Sequence, residues 1–260
     1  MKTIKFIGLL LLVIFSAKIK AQEGAQVNFL VRTAKYDFSK IWVRDSIADL
    51  YFENENKNEK IKMPEPLGFI GDNYQRFYIH LISVVKDMEN PNEYFAYGKT
   101  RVKNNICAFQ GKIKITSAQF GKESDNPKFK QGDIVADILF FEDQSNISSG
   151  VLKGKIKTNF VLDTKENMFY DSVNAVADGF SNNTFEGIWT SYKTKVTKKC
   201  NWGDFRIPNS GDLDIGAGEF SVNDKYLKNG WESYRLAYGG NNNSDAYKIA
   251  NRKESEKWWK

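Results

Sequence analysis

The chain holds one histidine, His80, and two cysteines, Cys107 and Cys200, among 260 residues. That inventory excludes a multi-histidine metal centre, a two-histidine mechanism and a four-cysteine zinc module. His80 stands in an apolar run, where a hydrogen-bonded structural histidine is the plain expectation and ligand contact the alternative. Cys107 and Cys200 can form one disulfide, worth about 4–5 kcal/mol by chain entropy for so large a loop, or stay as two buried thiols. Asp204, Asp212, Asp214 and Glu219 are the densest acidic group and lie among glycines. Oxygen ligands on such a loop suit calcium, with Asp212, Asp214 and Glu219 as candidate ligands, although the spacing is not that of an EF-hand. Solvated or turn-capping carboxylates are the simpler reading. Two of the four could serve a glycosidase as acid and base if they met in a cleft.

No cofactor is implied. Gly98-Lys99-Thr100 ends like a phosphate-binding loop, but Glu93 stands where the first glycine belongs. Gly216-Ala217-Gly218 has Ser221 in place of the third glycine of a dinucleotide turn. Ser83 and Lys86 match a Ser-x-x-Lys pair, which needs a helical turn; in a strand the two point to opposite faces.

Aromatics are plentiful, with 19 Phe, 12 Tyr and 6 Trp. Their rings bury area and stack, and Tyr and Trp keep a polar handle, a combination suited to sugar or peptide recognition. The ligand set expected on this basis is Tyr74, Arg76, His80, Trp202, Asp204 and Arg206, converging from loops at 66–76, 121–131 and 200–216. The plainer role for the tryptophans outside the clearest strands is structural: Trp202 and Trp231 plugging one barrel end, Trp258 and Trp259 docking the tail on the body.

The elements that must position these residues read as strands. Residues 76–85 (RFYIHLISVV) are β-branched, aromatic and apolar on both faces, which predicts a central, doubly covered strand. In it Tyr78, His80, Ile82 and Val84 share one face, opposite Phe77, Ile79 and Leu81. Strands follow at 94–102, 106–120, 133–141, 151–162, 171–180 and 185–195, separated mostly by polar, glycine-bearing joints. The fold class is all-β: an antiparallel meander of about 8–10 strands closed into a barrel or sandwich, with a short C-terminal helical tail. The alternation of Ile47, Asp49 and Tyr51 with Ala48, Leu50 and Phe52 suits a strand better than the amphipathic helix that 37–52 could also form, and 53–60 read as a hairpin loop. A weak repeat, large-x-Gly-x-apolar, recurs at Phe109–Ile113, Leu152–Ile156 and Phe185–Trp189, where glycines let a sheet curl on itself. Residues 239–243 read as a linker, and Ser244 as the cap of a last helix. The loop-rich segment after residue 200 shows no second core, so the division is a leader at 1–21, one barrel-like domain at 22–238 and a linker with helical tail at 239–260.

The leader carries Lys2 and Lys5, an apolar run from Phe6 to Phe15 and a small residue at Ala21, the pattern of a cleaved secretory signal. Ten apolar residues are too few to span a bilayer core of roughly 30 Å. The expectation is export to the periplasm, the cell surface or the medium, with no integral membrane span after cleavage. Four lysines and no acid leave with the leader. The formal charge of +6 then falls to +2, with 34 basic against 32 acidic side chains. So small an excess argues against nucleic acid as a partner, and Lys153, Lys155 and Lys157 read as one wet strand face.

The exported start, the antiparallel meander with large-x-Gly-x-apolar strands, and Phe185-Glu-Gly-Ile-Trp189 together resemble calycin-type barrels, the lipocalin and avidin-like class, over about residues 40–200. The chain is also similar to exported bacterial proteins of unassigned function. Phe185-Glu-Gly-Ile-Trp189 by itself resembles a MORN motif, without that family's regular spacing. The Gly-x-Trp of lipocalins is absent, because Lys40-Ile41 precedes Trp42, and no binding residue is carried over. The resemblance implies an exported barrel that binds a small molecule, glycan or peptide without catalysis. The alternatives are a carboxylate-dependent hydrolase of cell-surface glycan and a surface protein-interaction module.

Overall fold

Buried and exposed side chains alternate along every long strand between residues 93 and 191, and the pattern assembles one curled antiparallel sheet. The structure, a computed structural model, describes residues 30–51, 60–120, 124–239 and 244–260. The expected leader at 1–21, the loop at 53–59 and most of the 239–243 linker lie outside the described residues.

A short helix α1 (Ser39–Trp42) is followed by a hairpin of β1 (Ser46–Ala48) and β2 (Lys60–Lys62). Both readings of this stretch hold in part: α1 takes four residues of the possible helix over 37–52, and β1 reaches Ala48 in the strand expected over 47–52. Phe38, Ile41 and Trp42 explain the helix, because one turn places all three against the main core.

The sheet is built from β3 (Leu67–Ile70), β4 (Gln75–Arg76), β5 (Tyr78–Lys86), β6 (Glu93–Val102), β7 (Asn105–Phe120), β8 (Phe129–Glu142), β9 (Gly150–Asp163), β10 (Met168–Tyr170), β11 (Asn182–Ser191) and β12 (Thr197–Asp204). The order across it is β4-β3-β12-β11-β9-β8-β7-β6-β5, with β10 added on β9. Ile113, Ile134, Ile156, Phe160, Phe185 and Trp202 fill the concave side. On the convex side lysines alternate with acids: Lys155 bonds Asp137 at 2.5 Å and Lys157 approaches Asp133 at 3.6 Å across the β8–β9 ladder. The repeat glycines allow the curl. Gly154 and Gly187 face each other in the β9–β11 register, and a methyl on either would strike the Phe185 ring and strand backbone.

Residues 76–85 are not central: β5 is the last strand of the path. Its apolar outer face is covered by the tail instead of a second layer, with Trp258 against Tyr78 and Trp259 against His80. A bulge between Leu81 and Ser83 also breaks the expected alternation, so Val84 is buried in the main core with Ile79 and Ile82 is exposed. Residues 171–180, read as a strand, form turns after β10.

Beyond β12 the chain forms short 3-10 turns at Gly211–Leu213 and Asp224–Asn229, then α2 (Glu232–Tyr238) and α3 (Asp245–Glu254), the expected C-terminal helix. Ser244 caps α3 by accepting from the Tyr247 N–H at 3.1 Å. The loop-rich segment buries apolar side chains of its own against the sheet. Ile207, Leu213, Phe220, Val222 and Trp231 pack on Leu67 and Phe69 of β3. The cluster borrows one wall from the sheet, which is why no self-sufficient core is visible in the segment alone.

Candidate functional site

The two ends of the sheet are consecutive in the chain. β4 runs through Phe77 into β5, and the Phe77 N–H donates to Gly68 O of β3 at 2.9 Å. At that point the sheet meets itself. Continuing the same register, Pro66 falls opposite Ile79, Glu65 opposite His80 and Pro64 opposite Leu81. Proline has no N–H, and in an antiparallel ladder alternate residues supply the cross-strand bonds. Pro66 and Pro64 occupy the positions whose N–H groups would continue the closure begun at Gly68. The ladder stops there, and the seam beyond it stays open.

The open seam is a cleft of about 1060 Å³. Ile156, Asn183, Trp202 and Asp204 form its sheet wall, Trp42 and Arg44 come from α1 and the residues after it, and Glu65 and His80 face each other across the seam. The tail closes the outside through Glu256, Lys257 and Trp259.

A buried polar chain lines the inner wall. The Trp42 Nε1–H donates to Thr158 Oγ1 at 2.9 Å, and Thr158 Oγ1–H donates to Asn183 Oδ1 at 2.8 Å. Asn183 Nδ2 donates to Asp204 Oδ2 at 2.8 Å, and so does Tyr170 OH at 3.1 Å. Arg44 Nη2 pairs with the same oxygen, and its guanidinium lies 4.1 Å over the Tyr170 ring. Both charged side chains are more than nine-tenths buried. Burial is the main cause that pushes the Tyr170 hydroxyl well above its ordinary pKa, with the Asp204 charge second, so it stays a donor.

At the outer lip His80 Nδ1 lies 3.1 Å from Glu65 Oε1, and its ring stacks on Trp259 with centroids 3.7 Å apart. His80 is partly buried at the rim, its side chain 21% exposed, and it is hydrogen-bonded to Glu65.

Of the six residues nominated from sequence, His80, Trp202 and Asp204 line this cleft, and Tyr74, Arg76 and Arg206 do not. Tyr74 packs between Phe69 and Tyr226, each at 4.8 Å. Arg76 is buried, pairs with Glu254 at 3.2 Å and lies between the Trp231 and Tyr78 rings at 4.2 and 4.7 Å. Arg206 ties down its own loop through Asp214 at 2.6 Å and the Gly216 and Gly218 carbonyls. Tyr74 and Arg76 fasten the C-terminal segment to the sheet and Arg206 holds its own loop, so three of the six residues meet at the cleft and three do not. Arg44, Glu65, Asn183, Trp42 and Trp259 went unnominated. The Pro64-Glu65-Pro66 run was the available signal for the first side of the seam; the others arrive by long-range packing.

The proposed calcium set is dispersed. Asp214 holds Arg206 and the Gly216 and Ser221 N–H groups, whereas Asp212 holds Lys225 and Tyr226 and Glu219 is exposed. Among the described residues no three His, Cys, Asp or Glu side chains gather to hold a metal. Nor do Cys107 and Cys200 join. They sit on β7 and β12, with β8, β9 and β11 between them in the sheet, and both are free and buried. Burial, then the nearby Glu142 charge, pushes the Cys107 thiol up to about 11 and Cys200 well above its ordinary value.

No family model, curated protein or solved structure matches the chain.

Proposed function

We propose that the chain is an exported binding protein that holds a small molecule, glycan or peptide in the open seam of a calycin-like barrel. The observation that carries this reading is the cleft itself: it reaches from the partly buried His80–Trp259 lip to the Trp42 and Trp202 wall. Its size is at the upper end for a ligand site, and its lining sets Trp42, Trp202 and Trp259 among charged side chains that include Arg44, Asp45 and Glu65. Export rests on the leader-like start. Asp204 is the one carboxylate of the 204–219 group that lines the cleft, and it is engaged by Arg44, Tyr170 and Asn183. A hydrolase using two carboxylates of that group has correspondingly little support.

A second reading, a surface for a protein partner, is favoured by the convex face, where Val85, Phe95, Tyr97, Leu139 and Phe141 are exposed on β5, β6 and β8.

Native mass spectrometry of the protein purified from its own source tests the first reading. A bound mass released on unfolding is expected. A bare chain, combined with unchanged tryptophan emission across small-molecule, glycan and peptide panels, contradicts it.

A further inference from the structure

The seam leaves backbone as well as side chains facing the cleft. Two bonds fix which way the β5 backbone points. Phe77 N–H donates away from β6, to Gly68 O, and Asp87 N–H donates toward β6, to Glu93 O at 2.9 Å. Alternation between them, with the bulge at Ile82 counted, turns the N–H and C=O of Tyr78 and His80 to β6. The same groups of Ile79 and Leu81 turn to the seam. Among the described residues no acceptor meets those two N–H groups there and no donor meets those two carbonyls. Ile79 is 3% exposed. More than about 90% of buried backbone groups in folded proteins are paired, so an orphaned strand edge inside a cleft marks a missing partner.

We infer that the ligand of the cleft is an extended peptide, bound as an added strand on the Ile79–Leu81 edge of β5. This rests on the binding reading above and narrows it. An extended peptide is the ligand whose own N–H and C=O groups recur at the strand spacing and satisfy both residues at once. Pro66 and Pro64 on the opposite bank cannot donate, so they hold the place open. Alternate side chains of the added strand would face inward to Trp42 and Trp202 and outward to Trp259 and Glu65. Glu254 is already paired to Arg76, Asp204 to Arg44 and Glu65 to His80, which leaves Asp45 and Glu256 against Lys62 and Lys257 on the lining. The balance is even, so recognition rests on the backbone groups and the tryptophan walls.

The test uses the full chain and a positional-scanning library of acetylated octapeptide amides. Saturable binders enriched in apolar or aromatic residues at alternate positions are expected. They should slow exchange of the Ile79 and Leu81 amides. N-methylation of one alternate set of peptide amides should weaken binding at least about tenfold, and methylation of the other set should not. Indifference to methylation in both sets overturns strand addition. If no octapeptide binds while the native mass spectrum shows another bound molecule, strand addition fails and the cleft reading stands. If neither appears, both fail.

Discussion

Giving the seam back its two missing donors is the sharpest perturbation available. In the double variant P64T/P66T each new N–H lies opposite a free carbonyl, Leu81 for position 64 and Ile79 for position 66. The seam-side N–H groups of Ile79 and Leu81 would gain the carbonyls of the same two residues, for up to four new ladder bonds. At about 0.5–1.5 kcal/mol net each, they offer about 2–6 kcal/mol. Losing two prolines loosens the unfolded chain and costs about 0.4–1 kcal/mol apiece. The balance is about 0–5 kcal/mol in favour of the variant, and threonine suits a strand. Urea unfolding followed by tryptophan emission measures it. Amide exchange shows whether Ile79 and Leu81 become protected, and native mass spectrometry shows whether the bound mass is lost. A more stable chain with a protected seam and an empty cleft is expected. A chain that is destabilised, or that keeps both its fast seam amides and its ligand, refutes the claim that the prolines hold the cleft open.

Replacing Asp204 by Ala leaves Arg44 charged and buried without its counter-ion, and a loss of about 3–5 kcal/mol in urea unfolding is expected; a loss under about 1 kcal/mol would show the pair to be solvated. Glu142 is buried, and desolvation raises its pKa despite bonds from Thr100, Trp189 and the Gly150 N–H. A carboxyl raised in the folded state favours folding below the ordinary carboxylate range, and that contribution is lost as pH rises through the folded value. E142Q should therefore flatten the decline in stability over that range, measured by urea midpoints from pH 4 upward. The Cys107 and Cys200 thiols should react with a disulfide reagent at pH 8 only as fast as the chain unfolds, because burial keeps both protonated; prompt stoichiometric reaction in the native state contradicts this.

The strand meander was legible because each long strand buries one face against the core, and polar turns interrupt the alternation. β5 misled for a physical reason. Two apolar faces usually mean two covering layers, but here the outer cover is Trp258 and Trp259, more than 170 residues away in sequence. Trp202 and Asp204 could be nominated from a local run of aromatic, acidic and glycine residues. Arg44 could not, since its role depends on α1 returning the chain to the end of β12, a contact spanning 160 positions. Tyr74, Arg76 and Arg206 had suitable chemistry for a site but are used as fasteners, and residue type alone does not distinguish those uses. Pro64 and Pro66 signal in the sequence only an interruption of regular structure. Their effect needs the register set by Phe69 opposite Arg76.

Amide hydrogen exchange across residues 64–82, with and without the molecule that co-purifies, tests the open seam as the binding site most directly. Binding at the seam predicts slowed exchange at Ile79 and Leu81 and little change on the convex strands bearing Phe95 and Phe141. Protection confined to the convex strands, with the seam amides unchanged, contradicts it.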